Sequence, residues 1–459
     1  MRGFLASSIG VTCAAAALAL PLALPATPAA ARATAPASPA AGSVPGSTQS
    51  LPLAPLGSDR SLAQGGEQGL PRRDVQPFSL VGVVWDNPDA ELRGRVQVRT
   101  RATGTTNWSA WQDVETHNHE HAADLDTAER ATGKVRGSTA PLWVGDSDGV
   151  EIRVRAEEEN AAAHQADNVR AGQTHAQPPL PKGLRLELVD PGDEPPPQGA
   201  LADGPRAALT AQAAASAAVN ADLAPLDATA IPALSKQETE EDLIAARGGA
   251  EVVGKARPYV GPRPRIITRR GWGADEKLRE KDFAYTKSVK AAFVHHSASG
   301  NGYSCAQSPS VLRSIYRYHV KSSGWRDFGY NFAVDRCGNI YEGRAGGVAK
   351  PVLGAHTLGF NTNSMGIAVL GTYNNANPPK AAVNAVARLT AWKLGLYGAN
   401  PRSTTYLKSG GGNLYKKGTN VRLHVISGHR DGFATECPGG RLYNKLGKAR
   451  STSARFQGR

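Results

Sequence analysis

Residues 289–297 read Val-Lys-Ala-Ala-Phe-Val-His-His-Ser, an apolar run that ends in two histidines. A short apolar run bounded by polar residues is typical of a buried strand, which we place at Val289–Val294. His295 then lies where a rigid strand emerges, so its imidazole can face a cleft. Because neighbouring side chains of a strand point to opposite faces, His296 is predicted to be structural and not a ligand.

A second histidine and a cysteine lie near the C-terminus. His429 directly follows a strand predicted at Leu423–Ser427, and Cys437 comes eight residues later. The intervening loop is long enough to return the thiol to the imidazole. Together with His295, these residues form a ligand set for Zn²⁺ that leaves a fourth corner open for water, whose pKa then falls to about 7. Spacing alone is equally compatible with core histidines and a buried cysteine.

Around these segments, the chain from Arg265 onwards alternates predicted strands and helices, which indicates a compact α/β domain. The predicted helices carry apolar residues at helical spacing, and the predicted strands are short and apolar. The elements are helices at Ser310–Lys321 and Lys380–Tyr397, a hairpin formed by Tyr330–Val334 and Ile340-Tyr341, and a strand at Ser364–Leu370.

Residues 77–190 have a different texture, with short alternating segments between turns. Apolar and polar residues alternate strictly at Arg95–Arg101, which is typical of a half-buried strand. Further strands are predicted at Phe78–Trp85, Leu142–Val144, Val150–Arg155 and Leu184–Val189. Short strands split by turns predict a small β-sandwich-like domain, with loops at about 117–137 and 157–180.

Three histidines, His117, His119 and His121, alternate within the first of these loops. A tract of this kind can bind a metal. Its setting, Glu115-Thr-His-Asn-His-Glu-His121, is polar throughout. We therefore interpret these histidines as part of a polar loop and not as a second metal site.

Three further stretches lack the texture of a folded domain. Residues 1–33 are predicted to be a signal peptide, because Arg2 precedes an apolar stretch that ends in small residues. No later segment approaches 18 apolar residues, so a protein secreted to the cell wall, without a membrane span, is predicted. Residues 34–76 are Ala- and Pro-rich and are predicted to be disordered, and residues 191–262 to be a linker. The α/β domain is assigned to residues 263–450, and a monomer is expected.

The net charge of +13 is unevenly distributed along the chain. Residues 263–459 contain 31 Lys and Arg against 9 Asp and Glu, whereas residues 1–262 carry an acidic excess. A basic half is attracted to polyanions. A nucleic-acid binder is disfavoured, since the chain has no helix-turn-helix, zinc-finger or RNA-binding pattern and export argues against it. Anionic wall polymers are the expected partner of this surface; a cationic surface that only aids solubility is the alternative.

Four cysteines occur, of which Cys13 lies inside the predicted signal peptide. An oxidising destination favours a disulfide among the other three. If Cys437 binds metal, Cys305 and Cys337 are the remaining pair, and their bridge would close a loop of about 30 residues. Two buried free thiols are the alternative.

A series of motifs occurs in the order found in one protein family. They are Arg270-Gly-Trp-Gly-Ala, Val294-His-His-Ser, Gly324-Trp-Arg-Asp-Phe-Gly-Tyr-Asn-Phe332, Gly338-Asn-Ile-Tyr-Glu-Gly-Arg344, Gly354-Ala-His356, Ser364-Met-Gly-Ile-Ala368, Gly428-His-Arg-Asp431 and Thr435-Glu-Cys-Pro-Gly439. The C-terminal domain resembles the peptidoglycan recognition proteins, which share their fold with phage lysozyme-type N-acetylmuramoyl-L-alanine amidases. The resemblance implies a mixed β-sheet flanked by helices. More loosely, the β-rich region resembles accessory regions of bacterial secreted amidases.

The resemblance implies a zinc ion held by His295, His429 and Cys437. It implies an enzyme that hydrolyses the amide between N-acetylmuramic acid and L-alanine in peptidoglycan, with no other cofactor. The Tyr330 phenol would lie beside the zinc-bound water. Thr435 matches a position where phage relatives carry lysine; its hydroxyl can donate a hydrogen bond to the developing oxyanion but brings no positive charge, so zinc must carry more of the stabilisation.

The resemblance also suggests contacts with the peptidoglycan stem peptide. The expected residues are His356, Trp325 and Arg344, and support of the sheet is the alternative for the last two. A non-catalytic peptidoglycan-binding module is the alternative function. Binding-only relatives typically lose the cysteine, and its retention here as Cys437 favours catalysis.

Overall fold

The computed structural model describes residues 46–56, 66–157, 179–193, 209–246 and 258–459. The predicted signal peptide lies outside these ranges. Within them, no helix is both long enough and apolar enough to cross a membrane.

The N-terminal part is an antiparallel β-domain. Its strands are β1 (Ser47–Pro52), β2 (Ala54–Pro55), β3 (Glu67–Trp85), β4 (Gly94–Ala102), β5 (Gln112–Val114), β6 (Gly137–Ser138), β7 (Leu142–Ala156) and β8 (Arg185–Asp190). They pair in the order β1-β8-β3-β7-β4-β5, with β2 and β6 added to β3. The predicted β-rich character of this region is confirmed, and the two strands predicted within residues 142–155 are one continuous strand.

This β-domain begins earlier than composition predicts. Residues 34–76 are predicted to be disordered, but β1, β2 and the first part of β3 fall within that range. β1 pairs with β8 along its whole length, from Ser47 opposite Asp190 to Pro52 opposite Arg185. Pairing with a distant strand overrides the weak strand propensity of an Ala- and Pro-rich sequence. The remainder of the range, residues 34–45 and 57–65, lies outside the described residues.

The C-terminal part is built on a mixed seven-stranded sheet. Its elements are β10 (Ile266–Ile267), β11 (Ala291–His296), α3 (Ser308–Arg317), β12 (Phe332–Val334), β13 (Ile340–Glu342), β14 (Ser364–Val369), α4 (Lys380–Leu396), β15 (Thr404–Lys408), β16 (Asn420–His424), β17 (Ile426–Gly428), α5 (Gly440–Tyr443) and α6 (Leu446–Gln457). The sheet order is β17-β11-β14-β12-β13-β10-β9, where β9 is Ala230–Ile231. β11 is parallel to both of its neighbours. The predicted α/β fold is therefore confirmed.

Helices cover both faces of this sheet. Apolar residues of α4 and α6, such as Leu389 and Leu446, pack on one face with Val294. On the other face, α3 packs with Leu312 and Ile315 against Ala368 of β14. The sheet is thus buried on both sides, which explains why its strands are nearly all apolar.

The β-domain docks on the outer side of α3. Alternate residues of β3 serve two cores: Val81 and Val83 pack inside the β-domain, whereas Leu80 and Val84 pack with residues of α3. Gly82 permits the close approach, since a Cβ at this position would lie 2.4 Å from the Tyr318 hydroxyl. The two domains therefore share buried apolar surface.

Part of the predicted linker, residues 191–262, folds onto the α/β domain. It contains α1 (Ala211–Ala218), β9 and α2 (Lys236–Ala246). β9 is the edge strand paired with β10, and Ile231 is fully buried. Contacts with distant residues stabilise these short elements, and local composition does not reveal such contacts.

Two further predictions concern local structure. The strand predicted at Leu423–Ser427 is split: β16 pairs with β15 in a separate two-stranded sheet, and only β17 joins the main sheet. The split reflects a change of partner, since Val425 N donates to Ser403 O between the two strands. The predicted pair Cys305 and Cys337 forms a disulfide, and Cys437 is a buried free cysteine.

Candidate metal centre

The register of two parallel strands brings the first two predicted ligands together. Val294 of β11 pairs with Gly428, the last residue of β17. The next residues are His295, still within β11, and His429, which directly follows β17. Their ring centroids are 4.6 Å apart, and both side chains are fully buried. The sheet therefore fixes this pair through backbone pairing.

Cys437 reaches the same point through a loop that returns to its own beginning. Arg430 N donates a hydrogen bond to Cys437 O at 3.1 Å, which closes the loop. Cys437 Sγ lies 3.7 Å from His295 Nδ1, and the residue is 2% exposed. All three predicted metal ligands therefore meet in one buried cluster.

A fourth residue, His121, joins this cluster from the β-domain. Its Nε2 lies 3.1 Å from His429 Nδ1, and its ring centroid is 5.3 Å from that of His295. One ligand atom from each of His121, His295, His429 and Cys437 lies within 4.8 Å of the others. The cluster thus offers three imidazoles and one thiol, drawn from both domains.

The protonation chemistry of this cluster suits a metal ion. Burial lowers the pKa of His121, His295 and His429 well below the ordinary value, so the imidazoles are neutral and keep a lone pair. Burial raises the pKa of the Cys437 thiol, because a buried thiolate needs a compensating cation. Among the described residues, Nδ1 of His121 and Nε2 of His429 are buried without a hydrogen-bond partner. Mixed imidazole and thiolate ligands in so small a volume fit Zn²⁺.

His356 supports this cluster from behind. Its Nδ1 lies 3.0 Å from Thr357 Oγ1, which in turn lies 3.4 Å from His295 Nε2. The His356 ring is fully buried and packs so closely on Gly366 that a Cβ there would lie 2.4 Å from it. The structure therefore does not bring His356 to a groove surface, where stem-peptide binding was expected. It lies where it can orient His295 through Thr357.

Tyr330 lies beside the cluster, as expected. Its ring centroid is 5.2 Å from that of His295 and 6.0 Å from that of His121. Burial raises the pKa of Tyr330 well above its ordinary value, with smaller contributions from Cys437 and Glu120. The phenol is therefore protonated at neutral pH and able to donate a hydrogen bond.

Thr435 lies at the edge of the cluster, in the loop that carries Cys437. Its hydroxyl accepts a hydrogen bond from Cys437 N at 3.1 Å and donates one to Glu120 Oε1 at 2.6 Å. The residue predicted to stabilise an oxyanion is thus already hydrogen-bonded to a carboxyl oxygen of the β-domain.

The connection between β5 and β6, residues 115–136, crosses the whole site. We call it the covering segment; it is longer than most connections in compact domains. Leu358 N donates to Glu120 O at 2.9 Å, and Gly359 N donates to Asp124 Oδ1 at 2.7 Å. These bonds fix its backbone and a buried carboxylate to the α/β domain.

The covering segment binds Arg344 and lies close to Trp325, two of the residues that were expected to bind stem peptide. Arg344 donates two hydrogen bonds to the Glu129 carboxylate, at 2.8 and 3.0 Å, and both side chains are buried. Trp325 is 5% exposed and stacks on His319 with ring centroids 4.4 Å apart. Arg344 is therefore occupied by the covering segment, whereas Trp325 contributes to the lining of a separate cavity of about 580 Å³ beside residues 133–136.

The space left at the site is very small. The cavity bounded by Tyr330, Cys437 and the covering segment has a volume of about 10 Å³. Holding one water molecule requires about 10–15 Å³ of such space. A sugar or a peptide does not fit between the covering segment and the cluster.

The interpretation of His121 as a residue of a polar loop is wrong. His121 is 5% exposed and lies in the cluster, whereas His117 of the same tract is exposed. Glu120, which is 1% exposed, was not predicted to have any role. The alternating histidines were the only signal in the sequence, and they did not indicate which distant residues they would meet.

Two family models match the chain. Residues 285–440 match the model described as N-acetylmuramoyl-L-alanine amidase, and residues 32–177 match the model described as Rv3811 N-terminal galactose-binding domain-like. The first match contains His295, Tyr330, His429, Thr435 and Cys437, and the second contains His121. The cluster is therefore assembled from both matched regions.

Curated relatives align with the C-terminal part. Peptidoglycan-recognition protein SC2 of Drosophila melanogaster is 30% identical over 181 residues, which are 39% of this chain and 84% of that protein. Peptidoglycan-recognition protein SC1a of the same organism is 35% identical over 155 residues, 34% of this chain and 70% of that protein. Among solved structures, Drosophila PGRP-LB is 28% identical, with a TM-score of 0.32 and coverage of 40% of this chain and 92% of that chain.

Proposed function

Because the chain belongs to the peptidoglycan recognition protein family, we propose that it is a secreted, zinc-dependent N-acetylmuramoyl-L-alanine amidase. Its substrate is the amide between the lactyl group of N-acetylmuramic acid and L-alanine in peptidoglycan. The observation that carries the proposal is the buried meeting of His295, His429 and Cys437 beside Tyr330. A protein that only binds peptidoglycan has no need of a buried thiol at this point.

Zinc is the cofactor that these residues would hold. When bound, it polarises the substrate carbonyl and makes a water molecule acidic enough to attack at neutral pH. The residues around it have separate tasks. His356 and Thr357 orient the ring of His295 through the contacts described above, and such outer partners commonly fix the orientation of a ligating histidine.

Tyr330 and Thr435 act on the reacting amide. Hydrolysis turns the carbonyl oxygen into an oxyanion and requires a proton at the leaving nitrogen. The protonated phenol of Tyr330 can donate to either atom, and the Thr435 hydroxyl can donate to the oxyanion. The 2.6 Å bond from Thr435 to Glu120 Oε1 supports this role, because it shows that the hydroxyl can donate to an oxygen at the edge of the site.

Export is part of the proposal. The predicted signal peptide and the disulfide between Cys305 and Cys337 both suit an oxidising compartment. There the strongly basic C-terminal part would meet peptidoglycan and anionic wall polymers.

The deciding experiment measures new L-alanine amino termini on purified cell-wall sacculi. It uses the zinc-loaded chain and its double variant His121→Ala/Glu129→Ala, which lacks two side chains that cover the site. New L-alanine amino termini should appear with at least one of the two chains. They should be absent when a chelator is added and should appear again when zinc is restored. Cys437→Ser in the double variant should abolish them while circular dichroism shows a folded protein.

The closed site favours one other candidate, a peptidoglycan-binding module that does not cut. The same experiment separates the two. If zinc is bound stoichiometrically and neither chain produces L-alanine amino termini, although both bind sacculi, the amidase proposal is wrong and the binding module replaces it.

A further inference from the structure

We propose that the covering segment, residues 115–136, holds this enzyme in a latent state in which His121 is the fourth zinc ligand. This inference rests on the proposed function, since only an enzyme can be latent. It assigns the β-domain a regulatory role: its connection between β5 and β6 closes the site, and hydrolysis requires the segment to move away.

The number of protein ligands available to zinc supports a latent state. Structural zinc sites have four protein ligands, whereas catalytic sites have three and keep the fourth position for water or substrate. His295, His429 and Cys437 form the catalytic pattern, and His121 completes the structural one. Its Nε2 is 3.1 Å from His429 Nδ1, within the compact group of ligand atoms. The residue that fills the position needed for chemistry comes from outside the α/β domain.

The segment also binds two other side chains to which we assign a role with substrate, Thr435 and Arg344. Glu120 accepts the hydrogen bond of Thr435, which an oxyanion would otherwise receive. Glu129 binds both terminal nitrogens of Arg344, as a substrate carboxylate could. The segment therefore supplies an imidazole, His121, to the metal site. It also supplies two carboxyl groups, one to the Thr435 hydroxyl and one to the Arg344 guanidinium.

The space left at the site supports latency as well. With the segment in place, the cavity at Tyr330 and Cys437 is about 10 Å³, which is no more than one water molecule requires. Small movements of single side chains cannot admit a sugar and a peptide. Displacement of the segment itself is therefore necessary for turnover.

The segment can leave without unfolding either domain. Of its residues, only Arg130–Thr132 form a helical turn, and the strand that follows it, β6, is only two residues long. Its outer edge is open to solvent: Leu125 is 53% exposed, and residues 131–134 are exposed. The segment is held mainly by hydrogen bonds, one buried ion pair and metal ligation, not by the apolar core of the β-domain. It is therefore accessible to a protease or to a competing ligand at its outer edge.

Zinc coordination gives the first test, independent of activity. X-ray absorption of the zinc-loaded full chain should show three imidazoles and one sulfur. His121→Ala and His121→Gln should show two imidazoles, one sulfur and an oxygen, with zinc affinity lowered by about 10–100-fold or more. His117→Ala is the matched control, since His117 is exposed in the same segment, and it should retain the three-imidazole signal. Two imidazoles in the unmodified chain would overturn the assignment of His121.

Limited proteolysis gives the second test. In the zinc-loaded chain, cleavage within residues 125–134 should be slow, and chelation should accelerate it, because the metal ties the segment to the site. His121→Ala should be cleaved quickly with or without zinc, and His117→Ala should behave like the unmodified chain. Equal cleavage of all chains, irrespective of zinc, would show that the metal does not hold the segment.

Amidase activity completes the experiment and separates the two proposals. Hydrolysis of sacculi by His121→Ala should exceed that of the unmodified chain by at least about 10-fold, since only the open fraction of a latent enzyme is active. Equal activity of both chains would overturn latency and leave the amidase intact. Inactivity of every chain, including one cut within residues 125–134, would overturn the proposed function and latency together, while the absorption data would still decide whether His121 is a ligand.

Discussion

His121 Nε2 lies 3.1 Å from His429 Nδ1, although 308 positions separate the two residues in the chain. This contact joins a loop of the β-domain to the turn that follows the last strand of the central sheet. Neither domain can complete the four-residue cluster alone, because His295, His429 and Cys437 come from one and His121 from the other. Both domains therefore contribute residues to the candidate metal centre.

Tyr330→Phe tests the role of the phenol. The ring remains, so packing against His295 and the zinc content should be preserved, while a hydrogen-bond donor is lost from the reacting amide. Removing such a donor costs about 10²–10³-fold in kcat. The measurement is hydrolysis of a soluble muropeptide by the variant in the His121→Ala background, with zinc determined on the same samples. An unchanged kcat would exclude Tyr330 from the chemistry.

Gly82→Ala tests the docking of the two domains. A Cβ at Gly82 would lie 2.4 Å from the Tyr318 hydroxyl, which is buried and donates to Thr139 O at 3.1 Å. Overpacking of this kind costs about 1–3 kcal/mol. Gly302→Ala is the matched control, because no atom lies within 4 Å of the corresponding Cβ. Chemical denaturation should show a lower midpoint only for Gly82→Ala; equal midpoints would mean that the contact is easily relieved.

Local sequence patterns predicted much of the central sheet. The apolar run before His295 and the helical spacing in Lys380–Tyr397 both identified elements whose bounds differ from the structure by only one or two residues. These patterns reflect the burial of each element, which is visible within a short window. The candidate ligands His295 and His429 could be proposed from these patterns, because strand ends are rigid points from which side chains can face a cleft.

Pairing between distant segments could not be predicted in this way. The register that sets Val294 opposite Gly428 is a property of two strands, and no local pattern encodes it. The same holds for β1, whose neighbour in the sheet, β8, is the last strand of the β-domain in the sequence. His121 was misread for the same reason: its polar neighbours indicated a solvated loop, but Glu120 and Glu129 are buried against Thr435 and Arg344.

Glu342 makes the stability of the α/β domain depend on pH. Burial raises its pKa to about 7, although Asn220 and Arg269 N donate hydrogen bonds to it. A folded-state pKa above the ordinary 4.5 favours the folded protein below about pH 4.5, and this contribution is lost as the pH rises through about 7. At 1.36 kcal/mol per pKa unit, it amounts to at most about 3 kcal/mol.

Glu342→Gln should therefore flatten the dependence of the melting temperature on pH between about 4.5 and 7, since the amide does not ionise. Its single carbonyl oxygen can replace only one of the two carboxylate acceptors, so the melting temperature should also be lower at every pH. Glu241→Gln, a change at an exposed residue of α2, is the control and should leave the pH profile unchanged. If both variants retain the profile of the unmodified chain, Glu342 does not titrate in this range.

Adjacent histidines on one strand offer the sharpest test of the metal centre. His295 faces the cluster, whereas His296 faces the opposite side of the sheet, where its Nδ1 accepts a hydrogen bond from Tyr373 N at 3.2 Å. His295→Ala removes a ligand and should weaken zinc binding by about 100-fold or more. His296→Ala leaves a buried N–H without its acceptor, which costs about 1–3 kcal/mol of stability, but zinc should still bind at one ion per chain. Zinc competition and thermal melting should be measured on both variants. If both lose zinc equally, the assignment of His295 as ligand and His296 as structural residue is wrong.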